Sequence, residues 1–63
     1  MNTYYDLLQQ MKTYGTFIYT GDRELDLTLL TEEVKSLKLS GLFSTQEFSQ
    51  AMAIIIKEKN KLK

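Results

Sequence analysis

The 63-residue chain contains no cysteine and no histidine, and these two absences together remove disulfide bridges and the usual zinc ligands as supports for a small fold. Only carboxylates, hydroxyls and lysines are left for acid, base or nucleophilic chemistry. Proline is missing too. No internal repeat or low-complexity linker divides the chain, so one domain spanning residues 1–63 is expected. No apolar run approaches bilayer-spanning length, and Met1-Asn2-Thr3-Tyr4-Tyr5-Asp6 lacks the basic and apolar regions of a signal peptide, so the expectation is a cytoplasmic protein without membrane contact. The formal charge is zero and the pI is near 6.1, which excludes a broad electropositive surface and leaves room for a small one. A domain of this size buries only about 60% of the surface its unfolded chain exposes. Its core supplies roughly 3–5 kcal/mol, and with bridges and metals excluded, self-association is the remaining supplement.

What the chain does contain is helical punctuation. In Gly41-Leu42-Phe43-Ser44-Thr45-Gln46-Glu47-Phe48, Gly41 takes the left-handed conformation that closes one helix. Ser44 and Glu47 then have the spacing of a capping box that opens the next, while Phe43 and Phe48 have the spacing of a hydrophobic staple. A helical hairpin follows from this corner. Ahead of it, Tyr4, Leu8 and Met11, flanked by Tyr5 and Leu7, predict a first amphipathic helix over Thr3 to Tyr14, with Thr3 and Asp6 suiting its start and Gly15 its end. The second helix spans Asp22 to Ser40 with Asp22 as cap and a main stripe of Leu27, Leu30, Val34 and Leu37. The third runs from Thr45 to Asn60 with Phe48, Ala51, Met52 and Ile55 in one stripe. The expected fold is all-α, a small three-helix bundle in which helices 2 and 3 form the hairpin. Thr16 to Gly21 is β-branched and aromatic and in isolation reads as a short strand. With no partner strand, an extended connector whose Phe17, Ile18 or Tyr19 plugs the core is the preferred reading.

Two helices carry more apolar surface than one neighbour covers. At about 100° per residue, Leu25, Leu29 and Leu39 fall opposite the main stripe of helix 2, and Ile54 and Ile56 lie to either side of Ile55. One explanation is a homodimer or a protein partner whose seam uses Leu25, Leu29 and one of Ile54 or Ile56. The other is that helix 1 and the connector cover these residues.

The run Lys12-Thr13-Tyr14-Gly15-Thr16-Phe17-Ile18-Tyr19-Thr20-Gly21-Asp22-Arg23-Glu24-Leu25-Asp26-Leu27 resembles the signature of the YqgQ family of small bacterial proteins, and the resemblance extends over essentially the whole chain. It implies a cytoplasmic three-helix protein of Gram-positive bacteria. It carries single-stranded nucleic-acid binding as a proposal and brings no catalytic residues.

The residues themselves weigh the same way on chemistry. Glu32 and Glu33 are adjacent and so point apart on a helix, Ser44 is accounted for as a cap, and no catalytic role is expected. Asp22, Glu24 and Asp26 resemble the start of a calcium loop but lack its turn glycine and run into a helix, so they read as an acidic first turn facing the helix dipole; neither metal nor cofactor is expected. The most concrete binding candidates are Tyr5, Tyr14, Phe17 and Tyr19 interleaved with Lys12 and Arg23, because single-strand binders combine stacking rings with cations. The ordinary alternative is that these rings cap the end of a core. Charge tempers the idea: residues 22–33 hold five acids and one arginine, while the tail from Lys57 to Lys63 holds four lysines and one glutamate.

Overall fold

The computed structural model describes residues 1–62. Lys63, counted above in the basic tail, lies outside them. Three helices follow one another, α1 (Tyr4–Lys12), α2 (Arg23–Leu39) and α3 (Thr45–Lys61), each beginning at a side-chain cap. Thr3 and Asp6 form a reciprocal capping box on α1, Asp22 accepts the amides of Glu24 and Leu25 at the start of α2, and Ser44 and Glu47 form a second capping box on α3. Both connections leave their helix the same way. Gly15 donates to Lys12 O at 2.9 Å and Thr16 to Met11 O at 3.1 Å; Gly41 donates to Lys38 O at 3.2 Å and Leu42 to Leu37 O at 3.0 Å. These are the paired closing bonds of a Schellman turn, for which Gly15 and Gly41 adopt φ of 81° and 83°.

The core gathers Leu7 and Met11 from α1, Leu27, Leu30, Val34 and Leu37 from α2, Phe43 from the corner, and Ala51, Ile54 and Ile55 from α3. α3 is the central element, packed on α2 along one side and on α1 along the other. Among the described residues α1 and α2 nowhere bring Cα atoms within 8 Å of each other. That gap is bridged by the connector 13–22, which holds neither helix nor strand beyond the turn at 13–15.

The central position of α3 explains where the helical stripes differ from expectation. The buried positions of α3 are Ala51, Ile54, Ile55 and Glu58, an i, i+3, i+4, i+7 set, whereas Phe48 and Met52 are half-buried at its edge. Ile54, read from sequence as spare surface, is 8% exposed and belongs to the core because α1 occupies the side of α3 that a two-helix hairpin leaves open. In α1 the centre of the stripe is Leu7 and Met11, one turn apart, with Tyr4 and Leu8 half-buried beside them. In the connector Tyr14 and Ile18 pack against the core, while Phe17 and Tyr19 point outward.

Candidate functional site

The gap between α1 and α2 forms a hollow of about 410 Å³. Its floor is Met11 and Leu30, both fully buried; Leu8 and Ile18 wall it, and Gln9 and Thr16 add uncharged polar groups. Three rings stand around it: Tyr5, Phe17 and Tyr19 are 68%, 73% and 89% exposed. Among the described residues, Lys12 is the only charged one in the lining. Apolar rings that stay this wet contribute little to folding, so their placement around one concavity singles this site out.

The connector's course over the hollow is fixed by Asp26. Its Oδ1 accepts the Thr20 amide at 2.8 Å and the Thr20 hydroxyl at 2.7 Å, and the residue is 4% exposed. A charged acceptor that satisfies two donors holds its side chain inside without an unpaired charge. Asp26 stands in the acidic first turn of α2, as expected, but its carboxylate is turned to Thr20. Asp22 alone caps α2, and Asp26 ties α2 back to residue 20.

The six candidate nucleic-acid residues are not all together. Tyr5, Lys12, Phe17 and Tyr19 line the hollow; Tyr14 and Arg23 do not. The Tyr14 ring meets Phe43 edge-on, with centroids 5.5 Å apart, and its hydroxyl donates to Leu42 O at 3.4 Å. It caps the core at the α2–α3 corner. Arg23 donates to Glu58 Oε2 at 2.9 Å and lies 4.6 Å from the Tyr4 ring centroid, a cation–π position. Lys61 donates to the other oxygen of the same carboxylate at 3.1 Å. Arg23 is therefore already neutralised, and Glu58, whose side chain is 11% exposed, is buried between two cations. Partial burial pushes the Tyr4 phenol above its ordinary pKa, with the Arg23 charge opposing the shift.

The residues that sequence reasoning missed are Asp26 and Glu58. A carboxylate is read as solvent-facing by default, yet Glu58 completes the spacing begun by Ala51, Ile54 and Ile55, and that register was the available signal. Nothing local marks Asp26. The proposed interface residues Leu25, Leu29 and Ile56 are exposed, and with Ile54 in the core they are what remains of that surface. Among the described residues, no helix is long and apolar enough to cross a membrane.

Fold and site together define a small all-helical domain with an aromatic-rimmed hollow at the junction of helix 1 and its connector. The YqgQ-like family model matches residues 1–61. The "Uncharacterized protein YqgQ" of Bacillus subtilis (strain 168) is 36% identical over 63 residues, covering 100% of this chain and 89% of that relative. The chain belongs to the YqgQ-like family.

Proposed function

We propose that the protein is a cytoplasmic, non-enzymatic binding module whose hollow accepts an unstacked base of single-stranded nucleic acid. The observation that carries the reading is the convergence of Tyr5, Phe17, Tyr19 and Lys12 on one concavity with no carboxylate in its lining. Each base stacked on such a ring is worth about 1–3 kcal/mol, and Lys12 supplies a phosphate contact. With a single lysine the salt dependence is shallow, a slope of about −0.7 per phosphate engaged on a single strand. Catalysis has no support in the hollow, where Lys12 and the phenols of Tyr5 and Tyr19 are the only titratable groups. Titration of a fluorescent single-stranded oligonucleotide at low salt tests the proposal: Tyr19→Ala and Lys12→Ala each weaken binding, and no binding at low salt removes it.

A second reading rests on a different observation, the exposure of Leu25 and Leu29 on one side of α2 and of Ile56 on α3. These are the residues of a homodimer or protein-partner surface. Light scattering at micromolar concentration and pull-down with and without nuclease separate the readings. A strict monomer ends the dimer, and captured partners that survive nuclease and are lost on Leu29→Ala favour protein.

A further inference from the structure

Residues 16–20 cross the mouth of the hollow as a peptide strap held at only two places. At one end the Thr16 amide donates to Met11 O at 3.1 Å. At the other, Thr20 gives its amide and its hydroxyl to Asp26 Oδ1 at 2.8 and 2.7 Å, and the same hydroxyl oxygen accepts the Asp22 amide at 3.2 Å. Between these anchors, among the described residues, the backbone of Phe17, Ile18 and Tyr19 makes no hydrogen bond, and only the Ile18 side chain reaches the core. Glycines in the left-handed conformation stand at both margins, Gly15 at φ 81° and Gly21 at φ 89°, and neither has another group within 4 Å of where a Cβ would sit. Few contacts and exposed backbone are the features of a segment that opens without global unfolding. On the other side of the gap no helix contact closes the hollow, because α1 and α2 stay apart.

From these observations we infer that the strap is a gate: residues 16–20 swing away on Gly15 and Gly21 when Thr20 releases Asp26 and Asp22 and Thr16 releases Met11 O, withdrawing Ile18 and uncovering Met11 and Leu30. A ligand seated on that floor enters through the open form. This use of the gate rests on the hollow being the binding site; the opening itself does not, and is measured in the free protein.

Met11 provides the readout. It is fully buried in the floor, whereas Met52 is half-buried on α3 away from the hollow and serves as an internal control. Dilute hydrogen peroxide oxidises a thioether that water reaches. Thr20→Val keeps the side-chain volume and removes the hydroxyl donor to a charged acceptor, which raises the open population about tenfold or more. Met11 oxidation, followed by mass spectrometry, is expected to accelerate by that factor while Met52 oxidation stays in place; the urea midpoint falls, because the bond is lost from the closed ground state against the open and the unfolded state alike. Asp26→Asn, which keeps an acceptor and loses the charge, is expected to fall between the two. Amide exchange at Thr20 in the wild type should proceed through an opening more frequent than the global unfolding that exchanges Ile55. Met11 oxidation and Thr20 exchange that need the same opening free energy as exchange at Ile55 would overturn the gate. Oligonucleotide binding then adds a separate arm: association faster in Thr20→Val supports entry through the open strap, and an unchanged rate overturns it. Absence of any oligonucleotide binding sinks the nucleic-acid reading, while peroxide and exchange still decide the gate.

Discussion

The two connections of this chain leave their helices through the same glycine turn and then diverge. After Gly41 the chain turns directly into the Ser44–Glu47 capping box, and Phe43 is buried with the Tyr14 ring on its edge. After Gly15 it runs on without helix or strand, turns two aromatic rings outward and regains the core through Ile18 and the Thr20–Asp26 bonds. The first corner makes structure and the second makes a surface. The difference teaches that in a domain this small a hollow is left where packing is incomplete.

That contrast can be broken by substitution. The largest effect is expected from Ile55→Ala, which removes a fully buried side chain where α3 meets both neighbours. A loss of about 2–5 kcal/mol rivals the whole stability of such a domain and should appear in circular dichroism as loss of the cooperative transition. Glu58→Gln comes next, since it leaves Arg23 and Lys61 without their shared carboxylate. Both cations are half-exposed or more and rehydrate, so about 1–2 kcal/mol by urea unfolding is expected. Ser44→Ala, which removes the α3 cap, is expected to cost about 1 kcal/mol. On the open side, Tyr19→Ala should change stability by less than about 0.5 kcal/mol while weakening any oligonucleotide binding. A loss at Tyr19 as large as at Ser44 would show that the rings belong to the core after all.

The smallest expected effect is on pH dependence. The amides of Asn2 and Thr3 bond the Asp6 carboxylate and hold its pKa below the ordinary 3.8. A carboxyl depressed in the folded state contributes stability that is complete above its unfolded value and disappears as pH falls through the folded one. Asp6 should therefore titrate below 3.8 by carbon-detected NMR, and α1 should loosen in that acid range. An ordinary titration would mean that the α1 cap is not formed in solution.

Much of this was legible beforehand, and the reason is locality. Ser44 and Glu47, Thr3 and Asp6, and Gly41 act within a few residues of each other, so spacing alone reveals them. Leu27, Leu30, Val34 and Leu37 announce themselves by period. What could not be read required partners far along the chain: Arg23 meets Glu58 35 residues away, and Tyr14 meets Leu42 28 residues away. The same limit leaves the sequence silent on which of Ile54 and Ile56 is buried, since no local pattern says that α1 lies against the Ile54 side of α3. Three of the four rings crowded beside the connector, Tyr5, Phe17 and Tyr19, are exposed. That Tyr14 would turn inward depends on the corner it meets.

The junction at Glu58 has one more consequence. Tyr4 from the first helix, Arg23 from the second, and Glu58 and Lys61 from the third meet there, so the assembly exists only when every helix is docked. Because the chain has no tryptophan, ultraviolet emission comes from its tyrosines without a brighter neighbour masking them. With the other three tyrosines changed to phenylalanine, Tyr4 becomes a built-in gauge of whether the ends of the chain melt together or one after the other.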